Sequence, residues 1–228
     1  MRFSPFPLVL LVACAHEPAK LPNVAPNVHT SFSHTVSTPQ LHQHDFVHPL
    51  ASVIGAVVLG EKVFVAPGAS VRGDEGQPIY IGDDTNVQDG VVVHALETEE
   101  EGHVIEQNLV HVNGETFAVW IGPKVSLAHQ SQVHGPAVVG AHTFVGMQAL
   151  VFRAEVGENC VLEPRALVMG VKVPAGRYVS AGLVVRTQAE ADALPKIDAN
   201  YPFAHLNEGV LHVNTQLAEG YEHASLGR

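Results

Sequence analysis

The stretch of sequence that decides the fold spans residues 121–151 and reads IGPKVSLAHQSQVHGPAVVGAHTFVGMQALV. An aliphatic residue returns at every sixth position, which gives the series Ile121, Leu127, Val133, Val139, Val145 and Val151. A helix needs an apolar period of about 3.6 and a half-buried strand a period of 2, so neither element explains this spacing. A period of six is typical of the hexapeptide parallel β-helix, in which each repeat supplies one short strand and one corner.

The same period runs through most of the chain, with breaks after Val71 and Val93 and slips of one residue after Val151 and Val168. Its other members are Val53, Leu59, Val65, Val71, Ile81, Val87, Val93, Val156, Leu162, Val168, Val173, Val179 and Val185. Three repeats close one coil, so these nineteen aliphatic residues predict about six stacked coils with the aliphatic side chains inside. The period does not determine the handedness of the coil, although most β-crossovers are right-handed.

Helical signals follow the last repeat. Thr187 and Glu190 have the spacing of a capping box, which predicts a short helix that ends before Pro195. A second helix is predicted to begin after Asn207 and to pack along one wall of the coil through an apolar stripe. The stripe consists of Val210, Val213, Leu217 and Tyr221.

The beginning of the chain resembles an export signal. Arg2 precedes an apolar run that is too short to span a bilayer, and the run ends in a segment similar to a bacterial lipobox, with Cys14 as the lipidated residue and membrane tether. Cleavage without lipidation and an uncleaved start are the alternatives. Both processed forms place the protein outside the cytoplasm, in the periplasm or at the cell surface. The predicted segments are a signal (1–14), a linker or N-terminal arm (15–45), the β-helix (46–186) and the C-terminal helices (187–228).

The composition excludes some functions. The formal net charge is −11 with only 12 Lys and Arg residues, and a nucleic-acid binder needs a basic surface for phosphate contacts. We therefore expect no nucleic-acid partner. Two cysteines, Cys14 and Cys160, do not make a disulfide framework, and the hydrophobic surroundings of Cys160 predict a packed thiol.

The period places two histidines in one column. If the coil resumes after each break, three residues of successive coils fall on one face, namely Val71, Val93 and Val133. The residues that follow them, Arg72, His94 and His134, then form a column of outward side chains spaced by about 4.8 Å. Two imidazoles one coil apart can share a metal ion, since zinc–nitrogen bonds are about 2.0–2.1 Å long.

His129 belongs to a second column, beside Gln88 and Asp89 of the preceding coil. A rigid solenoid does not easily bring both columns to one point within a chain, but a neighbour related by a threefold axis can. The sequence therefore predicts a homotrimer with metal sites between subunits, in which one chain supplies His94 and His134 and the next supplies His129. The alternative is that these histidines are ordinary surface residues of a solenoid wall.

At these residues the chain resembles the γ-class carbonic anhydrases, and specifically their prototype archaeal-type subclass with an acidic loop. The matching segments are Ala51–Gly55, Arg72–Gly76, Asn86–Gly90, His94–Glu97, Ser126–Pro136, Glu163–Arg165 and Leu217–Tyr221. The similarity runs from about residue 45 to the C-terminus. It implies the left-handed form of the parallel β-helix, with C-terminal α-helices.

The resemblance also implies a role for each matching residue. The metal ligands are His94, His129 and His134. A pair that bridges subunits is Arg72 and Asp89. The residues that orient solvent and substrate are Asn86 and Gln88. The carboxylates that handle protons are Glu75 in the active site and Glu97 at the start of the acidic loop. A polar residue on the C-terminal helix near the site is Asn214. In two respects the chain departs from the prototype: His212 replaces a tyrosine, and the acidic loop is one residue shorter.

The implied activity is the reversible hydration of CO2 to bicarbonate and a proton by a metal-bound hydroxide, which is carbonate dehydratase (lyase) chemistry. Three histidines leave an open position for water and suit Zn(II), with Fe(II) or Co(II) as alternatives. Two other functions remain open at this point. One is a hexapeptide acyltransferase, and the other is a non-catalytic assembly subunit similar to the γ-class enzymes.

Overall fold

Three parallel sheets form the walls of a β-solenoid, which confirms the predicted β-helix with C-terminal helices. The computed structural model describes residues 23–224, so the predicted signal and Cys14 lie outside the described residues. The sheets contain eight, six and seven strands and are called wall 1, wall 2 and wall 3. None of the helices between residues 23 and 224 is long and apolar enough to cross a membrane.

The strands are short, and each wall is built from equivalent strands of successive turns of the solenoid. Wall 1 contains β1 (Val24–Ala25), β3 (Ser52–Gly55), β6 (Ser70–Gly73), β9 (Val92–His94), β16 (Gln132–His134), β19 (Leu150–Phe152), β22 (Leu167–Met169) and β25 (Val184–Val185). Wall 2 contains β4 (Val57–Leu59), β7 (Ile79–Ile81), β14 (Val119–Ile121), β17 (Ala137–Val139), β20 (Glu155–Val156) and β23 (Lys172–Val173). Wall 3 contains β2 (Phe46–Val47), β5 (Phe64–Val65), β8 (Asn86–Val87), β15 (Ser126–Leu127), β18 (Phe144–Val145), β21 (Val161–Leu162) and β24 (Tyr178–Val179).

The aliphatic repeat builds the core. All nineteen residues of the period are 3% exposed or less, because each points inward and stacks on its equivalent in the neighbouring coil. The longer break, after Val93, contains two hairpins and one turn of 3-10 helix. Their bounds are β10 (Glu99–Glu100), β11 (His103–Val104), the 3-10 helix (Glu106–Asn108), β12 (Val110–Val112) and β13 (Glu115–Phe117). Cys160 is fully buried and free, as predicted.

The solenoid begins earlier than the predicted six coils allow, since wall 1 has eight strands. Val24 of β1 pairs with Val53 of β3, so the N-terminal arm lies on the coil from its first described residues. Leu41 and Val47 precede Val53 at the same spacing of six, and both pack on the core. The polar composition of the segment hid this part of the repeat.

Two helices follow the solenoid. The capping box of α1 (Gln188–Asp192) is present: the Thr187 hydroxyl accepts from the Glu190 N–H, and the Glu190 carboxylate accepts from the Thr187 N–H. The longer α2 (Leu206–His223) packs across wall 3.

The predicted packing face of α2 is partly wrong. Val213 and Leu217 are 54% and 42% exposed, whereas Asn214 and Ala218 are buried. Tyr221 of the predicted stripe does pack on wall 3, where its ring stacks on Phe46 and Phe64, so the packing face is shifted toward Asn214 and Ala218.

Candidate metal centre

Two histidines stand side by side on wall 1. His94 of β9 pairs in register with His134 of β16, although forty residues separate them in sequence. Their ring centroids are 5.4 Å apart and the rings meet edge to face. The strand ladder therefore produces the column predicted from the period.

The His134 ring has one nitrogen committed to the backbone. Its Nδ1 lies 3.2 Å from the carbonyl oxygen of Gly135. Because a carbonyl can only accept, Nδ1 carries the hydrogen, and the lone pair of Nε2 is left to bind a metal.

His129 has the same arrangement on the other column, at the corner that follows wall 3. Its Nδ1 lies 3.1 Å from Oδ2 of Asp89, one coil away, and the Gln130 N–H donates to the Asp89 carbonyl at 2.8 Å. A carboxylate that accepts from Nδ1 fixes the tautomer and leaves Nε2 available. Ligating histidines in proteins are usually held in this way.

The three histidines do not converge within one chain. Across residues 23–224, the donor atoms of one group of three lie within 4.8 Å of one another, and that group is Asp74, Glu75 and His94. Among the described residues, His129 therefore lies apart from the pair of His94 and His134. The two columns and their separation agree with the prediction from the period.

A charged cluster surrounds Nε2 of His94. Its nearest neighbours are Oδ1 of Asp74 at 3.1 Å, a terminal guanidinium nitrogen of Arg72 at 3.2 Å and Oε1 of Glu75 at 3.5 Å. Arg72 also pairs with Asp74 through Nε at 3.0 Å. Within one chain Arg72 thus contacts Asp74, and the bridge between Arg72 and Asp89, which was implied between subunits, stays a prediction. Asp74 was given no role from the sequence, although it directly follows β6 and precedes Glu75.

The two predicted proton-handling carboxylates lie near each other. Burial raises the pKa of the Glu75 carboxyl, the charges of Asp74 and Glu97 raise it further, and His94 and Arg72 lower it. Both Glu75 and Glu97 are half-buried. They therefore sit on the His94 side of the site.

The predicted amide residues lie on the His129 side. Nε2 of Gln88 donates to Oδ1 of Asn86 at 2.9 Å, and Nδ2 of Asn86 donates to the Ser126 hydroxyl at 2.8 Å. Both amides are buried, and their mutual bond leaves the side-chain oxygen Oε1 of Gln88 for other partners.

Asn214 reaches the same region from α2. An open cavity of about 550 Å³ is lined by Gln88, His129 and Asn214 together with the first turns of α2. Nδ2 of Asn214 donates to the Val210 carbonyl at 2.9 Å. His212 instead is exposed and contacts Gln216 at 2.8 Å, so within one chain it does not line this cavity.

No protein-family model matches the chain. Over 204 residues, however, it is 55% identical to the carbonic anhydrase of Methanosarcina thermophila, which covers 89% of this chain and 83% of that protein. The chain belongs to the γ-class carbonic anhydrases. The carboxysome assembly protein CcmM of a Nostoc species is 40% identical over 84% of this chain, but the match spans only 33% of CcmM.

Solved structures agree on the fold of this γ-class chain. A hexapeptide transferase family protein from Anaplasma phagocytophilum superposes with a TM-score of 0.60, over 81% of this chain and 93% of that protein. Its sequence is 23% identical, so the likeness concerns the solenoid alone.

Proposed function

We propose that this chain catalyses the reversible hydration of CO2 to bicarbonate and a proton, as a homotrimer with a metal site at each subunit interface. The observation that carries the proposal is the arrangement of the histidines. His134 stands beside His94, and His129 stands on a separate column with its own carboxylate partner. Two copies of the chain can complete one three-histidine set, and a closed trimer contains three such sets.

The residues fit a divalent metal. Nδ1 is occupied in both His134 and His129, so Nε2 is the donor in each. Imidazole donors suit Zn(II), which we propose as the native ion, with Fe(II) or Co(II) as alternatives. A metal held by three histidines supplies an open coordination position and lowers the pKa of water there to about 7.

The protein side chains position substrate and move protons. Gln88 and Asn86 are neutral amides, so they can orient solvent and CO2 beside His129 without neutralising a nucleophile's charge. Glu75, close to His94, accepts the proton released at the site. Glu97, at the start of the acidic loop, then takes the proton from Glu75 and releases it to solvent. Asn214 adds a polar side chain to the lining of the cavity.

The two alternatives receive less support. The likeness to hexapeptide transferases is a likeness of fold and does not account for histidines in two columns. The similarity to CcmM covers a third of that protein, and this chain retains all three histidines and both carboxylates.

The test is CO2 hydration by the purified protein, followed by stopped flow with a pH indicator. We expect activity to be lost on chelation with dipicolinate and restored by Zn(II), or by Fe(II) without oxygen if iron is native. His129→Ala should be inactive, whereas His111→Ala, which changes an exposed histidine on β12, should match the parent. Activity that survives both chelation and His129→Ala would contradict the proposal.

A further inference from the structure

The N-terminal arm is fastened to the acidic loop, defined here as residues 97–102. The backbone N–H of His34 donates to Oε1 of Glu99 at 2.9 Å, and Nδ1 of the same histidine lies 2.9 Å from that oxygen. The N–H of Glu101 donates to the Ser31 carbonyl at 3.0 Å. The contacts of His34 with Glu99 and of Ser31 with Glu101 therefore join two segments that are far apart in sequence, since 65 residues separate His34 from Glu99.

The arm is itself held rigidly at this place. Buried Asn27 donates from Nδ2 to the Ser33 hydroxyl at 2.8 Å and to the Thr35 carbonyl at 2.9 Å, and its Oδ1 accepts from the Ser37 N–H at 2.6 Å. The residues on either side of His34 are thus tied to one buried side chain. Such a satisfied buried polar network fixes one geometry of the turn.

Both proton-handling carboxylates lie on segments that meet at this contact. The Glu75 carbonyl accepts from the N–H of Thr98 at 2.9 Å and from its hydroxyl at 3.0 Å. Gly76, with φ of 103°, has no room for a Cβ, which would lie 2.1 Å from Oγ1 of Thr98 and 3.5 Å from the Phe32 carbonyl oxygen. The arm, the Glu75 segment and the acidic loop therefore pack against one another at Gly76.

We propose that His34 is a positioning residue for proton release: it holds the acidic loop so that Glu97 stays within reach of Glu75. The inference rests on the proposed function, because it concerns the step that regenerates the site after CO2 hydration. His34 does not touch the reacting atoms. It acts through Glu99, two residues beyond Glu97, while Asn108 holds the Glu97 carbonyl from the other side at 2.7 Å.

The kinetic signature of this role is specific. Proton release follows bicarbonate formation, so displacement of the loop slows kcat and leaves kcat/KM for CO2 unchanged. We expect His34→Ala to lower kcat in dilute buffer by about 3-fold to 100-fold, the upper limit being the smaller contribution of a positioned proton-transfer group. A high concentration of imidazole should restore kcat, because it accepts the proton without the loop.

Two matched variants separate the hydrogen bond from other effects. His34→Asn places an amide N–H near the position of Nδ1 and should keep parental kcat. His42→Ala removes another arm histidine that pairs with a glutamate, Glu61 at 3.0 Å, away from the acidic loop, and should leave kcat unchanged. Equal loss of kcat in His34→Asn and His34→Ala would overturn the positioning role.

Hydrogen exchange supplies a readout that does not depend on activity. The amides of residues 97–102 should exchange faster in His34→Ala than in the parent and in His42→Ala. Unchanged exchange, or a fall in kcat/KM equal to the fall in kcat, would overturn the inference. An inactive parent would refute the proposed function instead. The exchange measurement would then still test whether His34 holds the acidic loop.

Discussion

Mixing two inactive variants measures where the metal site lies. A His94→Ala chain keeps His129 but lacks an intact pair of His94 and His134, whereas a His129→Ala chain keeps that pair but lacks His129. In a closed trimer each site joins one chain to the next. In any hybrid trimer, one junction brings an intact pair of His94 and His134 against an intact His129. Each of the other two junctions lacks at least one of the three histidines.

The expected magnitude follows directly. Each hybrid trimer, whether it contains two copies of one variant or of the other, has one of its three sites intact. It should therefore show about a third of parental activity. Random assembly of equal amounts makes about three quarters of the trimers hybrid, so the mixture should recover about a quarter. The assay is CO2 hydration and metal content of hybrids isolated through two different affinity tags.

The control is the double variant, His94→Ala with His129→Ala, assembled with His129→Ala chains. These trimers have no junction with all three ligands and should stay inactive. If hybrids of the two single variants, verified by native mass spectrometry, also stay inactive, the reasoning from the two columns is refuted. Activity in either single variant alone would refute it as well.

Two further perturbations test the site and the core. Asp89→Asn removes the carboxylate that accepts from His129. It should weaken metal binding about 10-fold to 100-fold, or about 1.4–2.8 kcal/mol, as measured by competition with a chelator. Unchanged metal affinity in an intact trimer would show that Asp89 does not hold His129. Leu127→Ala empties a fully buried position between Val87 and Val145 and should cost about 2–5 kcal/mol in urea unfolding at fixed chain concentration. Val104→Ala, at a 56% exposed position, should change stability by less than about 0.5 kcal/mol, and an equal loss in both variants would contradict the stacked core.

The period of six was sufficient to predict the walls and the phase of each histidine. Every aliphatic residue of a β-helix meets its equivalent one coil away, so counting by threes gives spatial neighbours. The register of His94 with His134, and the contact of His129 with Asp89, both follow from that count.

Other contacts depend on parts of the chain that carry no period. Asp74 lies at the start of the irregular segment between β6 and β7, and no spacing rule places its carboxylate beside His94. The contact of His34 with Glu99 joins the N-terminal arm to the β10 hairpin, and neither segment belongs to the period.

The orientation of α2 could not be read from hydrophobicity either. Its apolar residues suggested a face through Val213 and Leu217, but Asn214 and Ala218 are buried instead. Tyr221, which belongs to the predicted face, does pack on wall 3, with its ring centroid 5.2 Å from that of Phe46. The pattern within the helix therefore located one end of the packing face and missed the burial of the polar Asn214.

The acidic loop belongs to a segment that is inserted into the solenoid, so its position and the position of His94 and His134 are determined separately. Residues 95–118 enter and leave the coil between neighbouring rungs, while β9 and β16 remain paired through the wall 1 ladder. The ladder, and not the inserted segment, fixes the two histidines. Insertions and deletions in that segment need not change the spacing of His94 and His134, so the acidic loop can vary in length while the two histidines stay in register.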